Sequence, residues 1–189
     1  MELRAKTSPE WAECVLKDFN TFLADHASCE RKASAVGMSF VVRYPDRPGL
    51  LEPMILFARE ELEHFHQVYR IMVKRRVPLA PDEQDPYVNA LMKEVRFGRE
   101  ERFLDRLLVS GVIEARGTEK LSLLSEHLID PDLKVFYQRL AKAEYHHLHL
   151  FHHLAKRFFD EDTVEKRLIY WLDLEASIFK KCPIRPTVH

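Results

Sequence analysis

Apolar residues recur at steps of three, four and seven along most of the chain, a spacing that predicts helices throughout. The first run carries Leu16, Phe19, Leu23, Ala27, Ala33, Phe40 and Val41 on one face. It follows Ser8-Pro9-Glu10, which reads as N-cap, first-turn proline and an acid favoured by the helix dipole. A long helix A, with allowance for a kink, is predicted to about Val42, where Arg43-Tyr44-Pro45-Asp46-Arg47-Pro48-Gly49 breaks the pattern. Helix B is predicted from about Leu50 to Arg76, with Pro53 in its first turn, where a missing N–H does little harm. Val77-Pro78-Leu79-Ala80-Pro81-Asp82 reads as a connector. Asp85-Pro86 opens helix C, predicted to about Arg116, with a break or bend at Gly117-Thr118 and a shorter helix to Leu128. Asp130-Pro131 repeats the start signal for helix D, which runs to about Phe159. A last helix is predicted from about Thr163 to Phe179, before an extended tail holding Pro183 and Pro186.

Four long helices with shorter ones beside them predict an all-α chain, a four-helix bundle with additional packed helices. Composition agrees. Only five of the 189 residues are glycine, which disfavours turn-rich β architectures. The length suits one domain spanning 1–189. The chain is 46% hydrophobic and 31% charged, enough for a core under a soluble surface. A formal charge of −1 gives no global basic field to draw the protein onto nucleic acid. Cys14, Cys29 and Cys182 lie far apart, so neither a disulfide framework nor a rubredoxin-type iron site is expected. The first residues lack an apolar leader segment, and no apolar run approaches the roughly 20 residues of a membrane helix. A soluble, cytoplasmic protein is expected, with no membrane partner.

The chemistry lies on the apolar faces. Glu61 and His64 on helix B, and Glu144 and His147 on helix D, are three residues apart, so each pair can reach one metal ion. Glu-x-x-His alone is a weak motif, but helix phase strengthens it. The first pair falls in line with Met54, Phe57, Val68 and Ile71. The second falls in line with Leu133, Phe136, Leu140, Phe151, Leu154 and Phe158. Charged groups in the middle of such stripes need strong partners. The competing pair Glu63 and His66 shares its face with Arg59, Gln67, Arg70 and Lys74, a solvent face, and is rejected.

The other two helices each add one acid to the apolar face. Glu30 lies in register with Phe19, Leu23, Ala27, Ala33 and Val41, and Glu114 with Phe103, Leu104, Leu107, Gly111 and Leu121. Glu30 precedes Glu61 by 31 residues and Glu114 precedes Glu144 by 30, while the two halves are offset by 84 at Glu30/Glu114 and 83 at His64/His147. The chain therefore reads as two copies of one helical hairpin, Glu then Glu-x-x-His. Four carboxylates and two imidazoles suit a pair of first-row ions, as in ferritin-like di-iron proteins, and a di-manganese pair fits the same ligands. Zinc, with four ligands and often sulfur, suits them less. Spacing does not choose among oxygenase, oxidase and ferroxidase or iron-storage chemistry. A metal-free interaction module with buried ion pairs is a further alternative.

Other features have milder readings. His146, His149 and His153 share a face with Lys142 and Lys156, which reads as a solvated polar surface; His152 lies beside it. Gly37 and Gly111 sit inside helices where glycine costs about 1 kcal/mol relative to alanine. Close helix packing, or room for dioxygen or substrate beside metals, would each explain them. Lys74-Arg75-Arg76 and Lys156-Arg157 suit helix C-termini, with phosphate binding as the alternative. Arg96, Arg99, Arg102 and Arg106 add positive charge that Glu100, Glu101 and Asp105 partly offset.

Several blocks of the chain resemble the MiaE family, bacterial tRNA hydroxylases that act on methylthio-isopentenyl-adenosine. The resemblance runs through Ser8-Pro9-Glu10-Trp11, Asp25-His26-Ala27-Ser28-Cys29-Glu30-Arg31-Lys32-Ala33, Glu60-Glu61-Leu62-Glu63-His64-Phe65, Ser110-Gly111-Val112-Ile113-Glu114-Ala115-Arg116 and Glu144-Tyr145-His146-His147. It implies a ferritin-like, non-haem di-iron monooxygenase with two carboxylate-bridged iron ions and dioxygen as co-substrate. The implied substrate is tRNA, hydroxylated on the isopentenyl side chain of a hypermodified adenosine beside the anticodon. Electrons would come from an external reductase, since the chain has no flavin, nicotinamide or iron–sulfur motif. The residues that hold substrate and the oligomeric state are not readable from the sequence.

Overall fold

A computed structural model of the chain describes residues 1–79, 81 and 84–189. Ala80 and Asp82 of the expected connector, with Glu83, lie outside the described residues. Among the described residues there are seven α-helices: α1 Pro9–Lys17, α2 Phe19–Arg43, α3 Pro48–Arg75, α4 Pro86–Met92, α5 Arg99–His127, α6 Pro131–Phe158 and α7 Glu161–Phe179.

The start signals act as caps. Ser8 Oγ accepts from the Glu10 N–H at 3.3 Å, opening α1. Asp85 accepts from the N–H groups of Tyr87 and Val88, and Asp130 from those of Asp132 and Leu133. Asp160 does the same for Thr163. Each aspartate satisfies donors that the first helical turn cannot pair internally. Expected helix A is two helices, because Asp18 leaves helical geometry (φ −138°, ψ 63°) and caps α2 through the Thr21 N–H.

Three expectations are corrected. Helix B starts earlier, with Pro48 in its first turn, so Pro53 lies inside α3 rather than in its first turn. Helix C is not one element from Pro86: α4 ends at Met92 and α5 begins at Arg99. The interruption is held by Asp105, which accepts from the Arg96 backbone N–H at 3.0 Å and from its guanidinium at 2.9 Å. Gly117-Thr118 does not break the helix, which continues to His127. Tertiary contacts of the flanking Arg116 and Glu119 override the weak glycine propensity, and Thr118 Oγ1 donates to the Glu114 carbonyl at 2.8 Å.

The chain divides into two compact units. One holds residues 14–83 and 186–188 and is built on an α2–α3 hairpin. Its helices run antiparallel: Arg75 lies over the Phe19 ring, Ser34 Oγ donates to the Ala58 carbonyl, and Gly37 meets Met54, Phe57 and Ala58. Phe22, Leu23, Phe40, Leu50, Met54, Phe57 and Met72 form its core.

The other unit holds residues 1–13, 84–185 and 189. Its α5–α6 hairpin is also antiparallel, with Phe103 against Phe158 and Gly111 against Leu148 and Phe151. Helices α4 and α7 pack beside it and are tied in by buried charge. Arg116 is fully buried, lies 3.6 Å from the Phe179 ring centroid, and donates to Glu175 Oε1 from Nε (2.9 Å) and Nη2 (2.7 Å). Its other donors reach Thr7, the Ala5 carbonyl and Glu119, so one guanidinium joins the N-terminal segment, α5 and α7. Tyr87 OH donates to the same Glu175 oxygen at 3.1 Å, adding α4. Burial pushes the Glu175 carboxyl above its ordinary value, although Arg116 opposes this.

Removing one partner of a buried pair strands the other. Arg116→Met is therefore expected to cost about 3–5 kcal/mol in urea denaturation. A carboxyl whose folded value is raised loses stability as pH rises from the unfolded value of about 4.3 up to the raised folded one, and losing Arg116 raises the Glu175 value further. The variant's deficit should accordingly be larger at pH 8 than at pH 5.

Candidate metal centre

In the α2–α3 hairpin, Glu30, Glu61 and His64 come together. They lie within the buried faces read from the sequence, with fractional exposures of 5%, 1% and 8%. His64 Nδ1 is 3.8 Å from Glu30 Oε2 and 3.8 Å from Glu61 Oε2. Those separations exceed hydrogen-bond length, so His64 Nδ1 stands between the two carboxylates without a direct hydrogen bond to either. Glu30 is further held by His26, one turn earlier on α2, whose Nε2 lies 2.6 Å from Glu30 Oε1. His26 is 1% exposed. One oxygen of Glu30 is thus anchored and the other turned towards His64. His26 was absent from the sequence-derived set; the signal was its place four residues before Glu30, on the same face.

In the α5–α6 hairpin, Glu144 and His147 are buried, and His147 Nδ1 lies 2.9 Å from Glu144 Oε2. Glu114 is half-buried on α5. The register that seats Gly111 against Leu148 and Phe151 brings Glu114, one turn on, level with Glu144 and His147, one turn back. Thr118 anchors the carbonyl of Glu114. Both hairpins therefore place one Glu level with a Glu-x-x-His across an antiparallel crossing.

The rejected pair is as expected. Glu63 and His66 have side chains 61% and 60% exposed. His146, His149 and His153 are exposed, while His152 pairs with Glu165 at 3.0 Å. Burial, then the N-terminal amine, His152 and His146, hold His149 below its ordinary value. For the glycines the packing reading gains support: a Cβ on Gly37 would come within 2.8 Å of Phe57 Cδ1, and one on Gly111 within 3.2 Å of Phe151 Cβ. The basic helix ends have partners of their own. Arg75 contacts Phe19 and Asn20, and Lys156 bridges Glu161 and Glu165. The buried Arg116–Glu175 pair was also missed, because its partners are 59 residues apart and share no short motif.

The donor set suits a first-row divalent ion. Carboxylate oxygens and imidazole nitrogens match first-row divalent ions, and no thiolate lies among these donors. Groups that orient a ligand from behind typically change metal affinity 10–100-fold. His26→Leu is expected to weaken Fe(II) or Co(II) binding by about that factor. His26→Gln, which keeps a polar group near Glu30, should recover part of it. Anaerobic metal titration followed optically provides the check.

No helix among the described residues is long and apolar enough to cross a membrane. Compared with known proteins, the whole chain, residues 1–189, matches the family described as tRNA-(MS[2]IO[6]A)-hydroxylase (MiaE). It is 37% identical over 164 residues to a tRNA 2-(methylsulfanyl)-N(6)-isopentenyladenosine(37) hydroxylase of Pseudomonas putida, covering 87% of this chain and 80% of that protein. The protein of the same description from Salmonella typhimurium is 33% identical over 129 residues, covering 68% of this chain and 47% of its own length. Among solved structures, a Synechococcus protein described as having aldehyde deformylating oxygenase activity aligns with a TM-score of 0.94 and 36% identity, over 99% of this chain and 94% of its own. The all-α fold is ferritin-like.

Proposed function

From a chain that belongs to the MiaE family of tRNA hydroxylases, we propose a di-iron monooxygenase whose metal ligands are the repeated Glu and Glu-x-x-His residues. The substrate in this reading is the isopentenyl side chain of a methylthio-isopentenyl-adenosine beside the anticodon of tRNA. The observation that supports it most is the repeated Glu and Glu-x-x-His set, buried on both hairpins of a chain that matches the family over its whole length. Glu61, His64, Glu144 and His147 are a buried group of a kind that could hold a metal ion. Glu30 and Glu114 complete the six proposed ligands.

Bound iron would supply the activation of dioxygen, chemistry that no protein side chain provides alone. One oxygen atom enters the C–H bond as hydroxyl; the other leaves as water, at the expense of two electrons and two protons. The electrons come from an external reductase. The chain's own residues set geometry and environment. Glu61 and Glu144 are held nearly free of solvent, which strengthens their attraction for a cation. His26 fixes one oxygen of Glu30 and leaves the other to bind. The apolar side chains around the ligands, Met54, Phe57, Leu140 and Phe151, exclude water from the reaction. The working compartment in this reading is the cytoplasm, where tRNA is modified.

Glu114→Ala separates this proposal from its rivals. Wild-type protein is expected to hold two irons per chain with the optical and Mössbauer signature of a coupled ferric pair, and to hydroxylate the modified tRNA when given a reductant. The variant should lose that signature and the activity while keeping its helical circular dichroism. Iron held equally well without Glu114 would overturn the ligand assignment. Turnover of ferrous iron into a mineral core, without tRNA hydroxylation, would favour storage chemistry.

A further inference from the structure

Helix α6 has an unusual outer face. Between Leu133 and Phe158 its single acidic side chain is Glu144, and that one is buried. The exposed positions carry Arg139, Lys142, His146, His149 and His153. They advance by three, four, three and four residues, which keeps them in one straight stripe along the helix. At 1.5 Å per residue the stripe is about 21 Å long. Tyr145 flanks it, with its side chain outside the core and its ring edge-on to His149 at 4.6 Å between centroids. At one end Asp132 opens the same helix two turns before Arg139, and at the other Glu161 and Glu165 of α7 engage Lys156 and His152. In a chain of net charge −1, this concentration of donors without acids needs a reason beyond solubility.

We propose that the α6 stripe is an RNA-docking surface, with Arg139, Lys142 and the three imidazoles on successive phosphates and Tyr145 against a base. The inference rests on the tRNA-hydroxylase reading and adds where the tRNA lies. Arginine, lysine and imidazole N–H groups all donate to phosphate oxygens, and backbone contacts of this kind position an RNA without reading its sequence. An exposed tyrosine among them supplies the stacking surface that single-stranded RNA uses. The stripe is on the same helix as Glu144 and His147, so a strand held along it is registered to the ligand-bearing helix.

The test uses iron-loaded full-length protein and labelled tRNA bearing the modification, with affinity measured by anisotropy over a range of salt. Arg139→Glu/Lys142→Glu is expected to weaken binding at least tenfold and to flatten the salt dependence by about 0.7–0.9 in log–log slope for each phosphate no longer neutralised. Tyr145→Ala should weaken binding with the salt slope unchanged. Iron content and circular dichroism should match the wild type in all variants. Charge reversal at Lys17 and Lys74 serves as the control for net charge and should have a much smaller effect. Unchanged tRNA affinity in the α6 variant, with the wild type still hydroxylating tRNA, would overturn the docking surface and leave the function standing. Equal weakening by the control pair would overturn the location. Weaker coupling to an acidic reductase, with tRNA affinity intact, would reassign the stripe to the electron donor. A wild type that neither binds nor hydroxylates tRNA would remove both readings.

Discussion

Carboxylates and imidazoles in the middle of an apolar helix face have to be held there by hydrogen bonds or opposite charge. Glu61 is almost wholly buried among Met54, Phe57 and Val68, and Glu144 among Leu140, Leu148 and Phe151. Placing such groups out of water is unfavourable by several kcal/mol each without a partner. In the proposed site a bound cation would be such a partner, and the neighbouring acids increase the demand for it. The rest of the architecture serves that constraint. Each hairpin sets a lone Glu level with a Glu-x-x-His, and each is antiparallel, so these residues lie at mid-helix rather than at frayed ends.

Rigidity of the ligand-bearing helices comes from a second set of buried charges. Arg116, two residues beyond Glu114, is fixed by five donor contacts to Glu175, Thr7, Ala5 and Glu119. Asp105, near the start of the same helix, is fixed by Arg96 and Arg167. Burial alone would raise the Asp105 carboxyl, but hydrogen bonds from Arg167 and Arg96 outweigh it and leave the group below its ordinary value. That stabilisation is present above the unfolded carboxylate range and is lost as pH falls through the lowered value. Helix α5 is therefore pinned on both sides of Glu114, which fixes that residue's place along the crossing. In the proposed site, preorganisation of this kind would reduce the side-chain ordering that metal binding requires.

Local rules made much of this legible from the sequence. The aspartate caps, the apolar periodicity and the 83- and 84-residue offsets each depend on neighbours within a turn or on simple repetition. They gave the helices, the buried faces and the hairpin repeat. The misreadings have a common cause. Gly117 looked like a helix end because propensity is local, yet Arg116 and Glu119 are held by partners far along the chain. The break before α5 was invisible because Asp105 makes it by reaching back nine residues to a backbone N–H. His26 needed no long-range knowledge, only the observation that a ligand carboxylate has a second oxygen to satisfy.

Gly37 and Gly111 occupy the crossings of the two hairpins, within two turns of Glu30 and one turn of Glu114 respectively. With no side chain there, the backbones approach until the facing Phe57 and Phe151 touch them. These two positions act as spacers of zero thickness. They set the gap between the helix carrying each lone carboxylate and the helix carrying its Glu-x-x-His. A single methyl group at the α5–α6 crossing would push its neighbours back by a few tenths of an ångström, and one at the α2–α3 crossing would force Phe57 to move, shifting the carboxylates without replacing any of them.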